Sequence, residues 1–191
     1  YNRMHLAAVR GTFMKRRDFL AGGMSAIVLT STVQAADAFD RHIVTLNRSF
    51  APGQIHVNTA QRFLYLTTGG NQALRYGVAV GAQGRAFQGN ATISRKAMWP
   101  SWRPTQNMIR LEPAVYGPYR NGLPGKHPQN PMGAAALYLA RGGRETYYRI
   151  HGTHQPWTIG QSFSSGCVRL TNDNMIDLYA RVGRGTQVFV T

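Results

Sequence analysis

The sequence contains few acidic residues and almost no cysteine. Of its 191 residues, 7 are Asp or Glu and 22 are Lys or Arg, which gives a formal net charge of +15. A surplus of this size indicates an acidic partner. Cys167 is the single cysteine, so it cannot form a disulfide within the chain and stays free even in an oxidising compartment.

These absences argue against two classes of protein. One cysteine with scattered histidines offers no ligand pair at zinc-finger spacing. A nucleic-acid partner is not favoured either, because the sequence has no basic helix and no aromatic RNA-binding signature. An anionic cell-wall polymer or membrane surface is the better candidate for the acidic partner.

The sequence also lacks a long uninterrupted apolar run. Residues 15–17 are Lys-Arg-Arg, residues 19–33 carry no charge, and small residues follow at Ala35 and Ala36. This order is typical of an export signal, and the arginine pair indicates the twin-arginine route. A membrane anchor is the alternative, but glycine, serine and threonine dilute the stretch below the ~20 apolar residues that a span needs.

We therefore predict two parts in the chain. Residues 1–36 form the export signal, in which residues 1–13 precede a start at Met14 and represent a translated flank. Residues 37–191 form one mature domain in the periplasm or cell envelope, with no stable transmembrane segment.

Most of the mature domain has the alternation of short β-strands. The predicted strands are residues 41–46, 55–59, 63–67, 74–80, 91–96, 134–140, 147–150 and 187–190. One helix is predicted over residues 172–182, with Thr171 as its N-cap. Its core-facing stripe is Met175, Leu178, Tyr179 and Val182.

Residues 98–129 interrupt this pattern. They hold six of the nine prolines and show little periodicity, which is typical of a lid over a functional site. Four aromatic residues alternate there with four basic ones: Trp99, Trp102, Tyr116 and Tyr119 with Arg103, Arg110, Arg120 and Lys126. Two interpretations stay open: aromatics folded back onto the core, or one wall of a groove for an anionic peptide.

Two residues, His151 and Cys167, are candidates for catalytic chemistry, and each follows a short segment typical of a strand end or a turn. His151 follows an apolar run, and Cys167 follows Ser-Ser-Gly at 164–166. A histidine can take the proton of a thiol or hold the thiolate as an ion pair. An inert buried thiol is the alternative, but the small residues before Cys167 allow backbone amides to point at an oxyanion.

Several motifs then follow one another in a recognisable order. They are Asn-Pro-Met-Gly at 130–133, Ala-Leu-Tyr-Leu at 136–139, His-Gly-Thr at 151–153, Ser-x-Gly-Cys-Val-Arg-Leu at 164–170, and Asp-Leu-Tyr-x-Arg-Val-x-x-Gly-Thr-x-Val at 177–188. The set resembles the L,D-transpeptidase catalytic domain family, which acts on bacterial peptidoglycan. The resemblance covers residues 41–191 and is closest after residue 130.

The resemblance implies a mainly β fold, a β-sandwich of mixed sheets with one C-terminal-region helix and a long lid loop. It also implies that Cys167 is the nucleophile, that His151 is its base, and that the Gly152 carbonyl orients the imidazole. The backbone amides of Gly166 and Cys167 would stabilise the oxyanion.

The resemblance implies substrate contacts as well. Ser165, Arg169 and Thr153 are the expected substrate-binding residues, although Arg169 has a purely structural alternative. His154 is expected on the surface or the substrate side and not as the base. Ser165 stands where many members carry histidine, and residues 85–90 replace a Pro-Thr-Pro-x-Gly type of loop.

The implied reaction joins two peptide stems. Cys167 attacks the third residue of a tetrapeptide stem and releases D-Ala, and an amine of another stem resolves the thioester into a 3→3 cross-link. The partner is the stem peptide, no metal or organic cofactor is needed, and a monomer is expected. Two alternatives remain: an L,D-carboxypeptidase or cross-link hydrolase that uses the same thioester, and an inactive wall-binding module.

Overall fold

The computed structural model describes residues 39–82 and 84–191. The predicted export signal, residues 1–36, lies outside these described residues. Strands make up 39% of the structure, and helices are few and short. The prediction of a mainly β domain is therefore confirmed.

The strands follow the predicted runs closely. They are β1 His42–Thr45, β2 Ile55–Asn58, β3 Phe63–Gly69, β4 Gln72–Gly77, β5 Val80–Gly81, β6 Gly89–Met98, β7 Ala135–Arg141, β8 Arg144–His151, β9 Ser162–Ser164, β10 Val168–Arg169 and β11 Gln187–Val190. The helices are α1 Gln106–Leu111, α2 Pro113–Tyr116 and α3 Asn172–Arg181, with single 3-10 turns at Gly117–Tyr119 and Pro156–Thr158.

Nine strands form one sheet in the order β1-β4-β3-β2-β11-β6-β7-β8-β10, and β5 pairs with β9 in a second, two-stranded sheet. Most neighbours are antiparallel, but β2–β11, β8–β10 and β5–β9 are parallel. The large sheet is thus mixed, as expected, and the small sheet is parallel. The small sheet was not predicted, because strands of two and three residues are too short to show an alternation.

One apolar core is enclosed by the large sheet and α3. Alternate residues of the strands point into it, for example Ile55 and Val57 of β2 and Val188 and Val190 of β11, all at most 3% exposed. Each such side chain contributes roughly 1.5–3 kcal/mol by leaving water. The core fixes the sheet, and the sheet fixes the position of its edge strands.

Helix α3 forms where its sequence predicts. The Thr171 hydroxyl accepts a hydrogen bond from the Asn174 amide at 3.3 Å and caps the helix. Met175 and Leu178 of the predicted stripe are fully buried. The helix thereby packs against the large sheet at β7.

The predicted lid is more regular than its sequence suggests. Helices α1 and α2 lie within residues 98–129, although neither buries a residue. The base of this segment is tied down by Asn130, whose side-chain amide donates to the Pro100 and Pro124 carbonyls at 2.9 and 3.0 Å. The closely spaced prolines of this segment argued against helices in the sequence analysis, because proline is tolerated only in the first turn of a helix.

Candidate active site

The parallel pair β8–β10 at the sheet edge brings the predicted nucleophile and base together. Val168 is aligned with Ile150, and Arg169 with His151. Successive side chains of a strand point to opposite faces, and Ile150 and Val168 fill the core at 0% and 5% exposure.

The residues on either side of this apolar pair therefore share the opposite face. We call them the site quartet: Arg149 and His151 on β8, Arg169 on β10, and Cys167 just before β10. Within it, Cys167 lies beside Arg149 and His151 lies beside Arg169, so the thiol and the imidazole are diagonal neighbours.

The imidazole of His151 is held in one orientation. Its Nδ1 lies 2.6 Å from the carbonyl oxygen of Gly152, and because a carbonyl can only accept, Nδ1 carries the proton and Nε2 keeps its lone pair. Gly152 itself donates its amide to the Ala135 carbonyl at 3.0 Å. The predicted contact between Gly152 and the imidazole is thus present in the structure.

His151 is 4% exposed, and this burial decides its charge. Burial together with the nearby Arg169 and Arg149 guanidinium groups lowers the pKa of His151 to about 3, against the opposing effect of the Gly152 and Pro131 carbonyls. The imidazole is therefore neutral at physiological pH, which is the form that can accept a proton.

Cys167 is half-buried and is a free thiol. Burial raises the pKa of the thiol, while the backbone amide and guanidinium of Arg149 and the charge of Arg169 act in the opposite direction. Both members of the pair are thus neutral at rest. No hydrogen bond joins the sulfur to His151 within residues 39–82 and 84–191, so proton transfer would accompany attack rather than precede it.

The turn before Cys167 is organised by Ser164, a residue that the motif contains but to which we assigned no role. Its hydroxyl donates to the Cys167 carbonyl at 2.6 Å and accepts from the Gly166 amide at 3.2 Å. The Gly166 amide is therefore already engaged. No acceptor for the Cys167 amide is found in the part of the chain that the structure describes, so this amide is a free donor beside the predicted nucleophile.

Gly166 is required by geometry. Its φ of 130° lies outside the range of L side chains, and a Cβ there would lie 2.5 Å from a ring carbon of Tyr148 and 2.6 Å from the Arg85 carbonyl oxygen. The loop that begins at Arg85, whose sequence departs from the family pattern, thus packs directly onto the nucleophile turn.

The three predicted substrate residues lie in different settings. Ser165 is exposed beside the nucleophile. Thr153 is 1% exposed, and its hydroxyl accepts from the Gln155 amide at 3.1 Å. Its side chain therefore shapes the turn after His151, and its role in substrate binding stays a prediction.

Arg169 is mostly buried, with its guanidinium 4.7 Å from the centre of the Phe163 ring. Its Nε has no hydrogen-bond partner, and none of the ion pairs among the described residues includes it. A buried cation without a counter-ion is costly, which makes the guanidinium a ready receptor for an anion.

His154 lies outside the quartet. It lines a cleft next to the site together with Trp99, Lys126, Thr153 and Trp157. Its Nδ1 is buried without a partner, and burial and Arg169 lower the pKa of its imidazole. The structure therefore provides a backbone orienting contact for His151 and none for His154.

The aromatic residues of the lid divide between the two interpretations. Trp102 packs against the buried cluster of Met132, Ala136 and Tyr138, and the rings of Tyr116 and Tyr119 lie 6.4 and 6.1 Å from it. Trp99 is 38% exposed and lines the cleft. Packing onto the sheet thus explains three of the four aromatics.

Metal and membrane features were also sought in the described residues. Across residues 39–82 and 84–191, no three His, Cys, Asp or Glu side chains cluster as a metal site would require. In the same residues, no helix combines the length and apolar character needed to cross a bilayer.

A family model for the YkuD L,D-transpeptidase catalytic domain matches residues 52–190. The chain belongs to this family. The match includes the whole site quartet and the Gly152 and Ser164 contacts described above.

Known proteins similar to this L,D-transpeptidase family member support the assignment. The chain is 36% identical to the Probable L,D-transpeptidase ErfK/SrfK of Escherichia coli (strain K12) over 137 residues. This alignment covers 70% of the chain and 42% of the Escherichia coli protein. The chain thus spans less than half the length of this curated relative.

Two solved structures are similar to the chain. One, 51% identical with a TM-score of 0.55, covers 76% of this chain and 89% of its own and is named as a Probable carnitine operon oxidoreductase caia from Brucella melitensis. That name concerns the Brucella protein. The other, an L,D-transpeptidase from Mycobacterium smegmatis, is 17% identical with a TM-score of 0.52 over 72% of this chain and 58% of its own, and it confirms the fold.

Proposed function

We propose that this protein is a peptidoglycan L,D-transpeptidase, a cysteine acyltransferase that forms 3→3 cross-links. The observation that carries the proposal is the site quartet, in which Cys167 and a neutral, oriented His151 lie on adjacent strands. Family membership supplies the substrate class, and the quartet supplies the two groups that acyl transfer needs.

In the first half-reaction, Cys167 attacks the carbonyl of the third residue of a tetrapeptide stem. The thiol proton passes to Nε2 of His151 as the sulfur–carbon bond forms. When the tetrahedral intermediate collapses, the carbon–nitrogen bond breaks and the imidazolium returns the proton to the leaving D-Ala amine. The product is a thioester on Cys167.

In the second half-reaction, the side-chain amine of another stem attacks the thioester. His151 takes a proton from this amine and returns one to the departing sulfur, which restores the neutral thiol. If water takes the place of the amine, the same thioester yields an L,D-carboxypeptidase or a cross-link hydrolase.

The oxyanion would be stabilised by the Cys167 amide, with the Gly166 amide as a shared donor. Each full donor at such a site contributes ~3 kcal/mol to the transition state. Because Gly166 already donates to Ser164 at 3.2 Å, we assign the larger share to Cys167. Attack would draw the Gly166 amide away from Ser164 only if the turn adjusts.

Arg169 is proposed to bind a substrate carboxylate. The stem peptide has several carboxylates, and a guanidinium that is buried, lacks an ion-pair partner and flanks His151 would gain a counter-ion on binding. Ser165, exposed beside Cys167, would contact the stem where it leaves the site. Tyr116 of the lid also lies near Arg169.

The cellular setting is part of the proposal. The arginine pair at residues 16–17 supports export by the twin-arginine route to the periplasm or cell envelope. The surplus of basic residues suits an anionic wall polymer. We propose that the protein acts as a monomer.

Incubation with disaccharide-tetrapeptide followed by mass analysis tests the proposal. A cross-linked dimer supports transpeptidation, a tripeptide supports the carboxypeptidase, and no change supports an inactive wall-binding module. Cys167→Ser is the matched control, because a hydroxyl lacks an accessible anion. Turnover retained in Cys167→Ser would contradict Cys167 as the nucleophile.

A further inference from the structure

Arg149 has no role in the mechanism above, yet it is the strand neighbour of the nucleophile. The register that aligns Val168 with Ile150 places Cys167 opposite Arg149, one inter-strand spacing of about 4.8 Å away between backbones. Both residues lie on the face that carries His151. The position is therefore set by sheet geometry and not by a flexible loop.

The guanidinium of Arg149 is held in place by three contacts. Nη1 donates to the Tyr147 carbonyl at 2.7 Å, Nη2 donates to Glu145 Oε1 at 3.2 Å, and Cζ lies 5.0 Å from the centre of the Tyr138 ring. Tyr147 adopts a φ of 62°, which is uncommon for a residue other than glycine. This backbone irregularity accompanies the Tyr147 carbonyl contact that holds Arg149.

These contacts distinguish Arg149 from Arg169. Arg169 has a free Nε and no ion-pair partner in the described chain, as a receptor for substrate requires. The Arg149 guanidinium is already bonded and only 26% exposed. The Arg149 guanidinium is therefore not free to reorient toward a ligand, but it can act as a fixed positive charge.

We propose that Arg149 is a positioning residue for catalysis, a fixed cation that stabilises negative charge on the sulfur of Cys167 during attack and keeps His151 in its neutral form. The inference rests on the proposed role of Cys167 as nucleophile. It also explains how a half-buried thiol without a preformed ion pair is made reactive, because burial alone disfavours the thiolate.

Other charged and titratable groups lie in this part of the site. Arg169 is the second cation that acts on the thiol, and both His151 and Tyr116 interact with its charge. Arg85, whose carbonyl lies near Gly166, pairs with Glu112 of the lid. Arg85 and Glu112 lie 3.9 Å apart, and both are largely exposed, so their effects largely cancel in solvent. Glu145 is the one acid bonded to Arg149.

Arg95 offers a matched control within the same sheet. Tyr138 is aligned with Arg149 on one side and Arg95 on the other, and the Arg95 guanidinium lies 3.4 Å from the same ring. Arg95 is two strands further from Cys167, about 14 Å between backbones. Arg149 is among the groups whose charge acts on the Cys167 thiol, and Arg95 is not.

The test is the pH dependence of Cys167 alkylation by iodoacetamide, followed by intact mass. The chain has a single cysteine, so the readout reports this thiol alone and requires no peptidoglycan. In Arg149→Gln the midpoint moves to higher pH and alkylation at pH 7.5 slows about tenfold, since raising the midpoint by about one pH unit lowers the thiolate fraction about tenfold. Arg149→Lys keeps most of the wild-type rate, and Arg95→Gln matches wild type.

Glu145→Gln gives a test of opposite sign and guards against a folding defect in Arg149→Gln. Removing the carboxylate leaves the cation less compensated, so alkylation at pH 7.5 becomes faster. An unchanged midpoint in Arg149→Gln, or an equal shift in Arg95→Gln, overturns the inference. Failure of the proposed function would instead show as no product from tetrapeptide with wild-type alkylation intact.

Discussion

Two parallel strand pairs in this domain have the same construction and different outer faces. In β2–β11, His56 is aligned with Phe189, and in β8–β10, His151 is aligned with Arg169. Two residues before Phe189 stands Gln187, in the position that Cys167 occupies before Arg169. Both pairs bury their alternate residues in the same core.

The outer face of β2–β11 is filled by stacking. His56 lies between Phe50 and Phe189, with ring centres 4.7 and 4.8 Å away, and its Nε2 is 3.3 Å from the side-chain oxygen of Gln54. The imidazole thus stacks on Phe189, meets Phe50 at a steep angle and has a partner on one nitrogen. This histidine is a structural residue.

The outer face of β8–β10 is filled by charge instead. His151 has a backbone carbonyl on Nδ1, and two arginines and a thiol surround it. The pair lies at the edge of the large sheet, where Ala79 forms a single antiparallel bridge with Arg169. The comparison teaches that a parallel strand pair can place a histidine on its outer face in either case. The edge position of β8–β10 and the polar neighbours of His151 are what make this histidine a candidate for chemistry.

Removing the histidine of each pair should give the largest difference between them. We expect His151→Ala to lower acylation of Cys167 by a carbapenem at least about a hundredfold, which is the usual range for loss of a general base. His56→Ala should acylate at the wild-type rate, and His154→Ala should be weakened only modestly. The measurement is the mass shift of intact protein over time. A His154→Ala variant that fails to react while His151→Ala succeeds would reverse the two roles.

Acid should also separate the two histidines. The folded-state pKa of His151 is depressed to about 3 from 6.5, so the unfolded chain binds more protons between these values. The neutral, buried imidazole therefore makes its full contribution to the free energy of unfolding above pH 6.5. This contribution falls as the pH approaches 3, by up to about 4 kcal/mol.

Urea unfolding of wild type and His151→Gln from pH 7 to pH 3.5 measures this effect. His151→Gln should lose most of the pH slope. His56→Gln should lose less, because His56 is only partly buried and its pKa is lowered by burial and Arg48 to a smaller degree. Equal slopes in wild type and His151→Gln would show that the imidazole is not buried in its neutral form.

Two turns, the one before β10 and the one before β8, give a third contrast. Gly166→Ala places a Cβ against Tyr148 and Arg85 at a φ of 130°. We expect it to lower the free energy of unfolding by about 1–3 kcal/mol and to reduce acylation of Cys167 by the carbapenem. Gly142→Ala is the control, since it has a φ of 56° but open space around it. If thermal unfolding ranks the two variants equally, packing at Gly166 is not the cause.

The smallest expected effect belongs to Ser164. Ser164→Ala removes the bonds to the Cys167 carbonyl and the Gly166 amide, which should lower stability by about 1 kcal/mol and slow acylation by a few fold. Ser165→Ala, which alters an exposed side chain, should be stable to within measurement. Faster acylation of Ser164→Ala would mean that the freed Gly166 amide joins the oxyanion hole.

Much of this architecture follows from local patterns. Alternation in β2, β3 and β11 was sufficient to place those strands, and the cap and stripe of α3 were sufficient to place its start and buried face. The motif order identified the family that residues 52–190 confirm. Local patterns did not predict β5 as a separate strand, nor β9, α1 or α2. Strands of two and three residues are too short to show an alternation, and helices of six and four residues are too short to show a helical period.

By itself, the sequence determined the nucleophile and base as candidates, the glycine before the thiol, and the mainly β class, because each depends on residue type and local period. Only the tertiary structure decided which side chains share a face. The register of β8 with β10 sets Arg149 beside Cys167 and Arg169 beside His151, and burial then makes both candidate catalytic groups neutral. Pairing between residues far apart in the chain depends on the shared core, and no spacing along the sequence reports it.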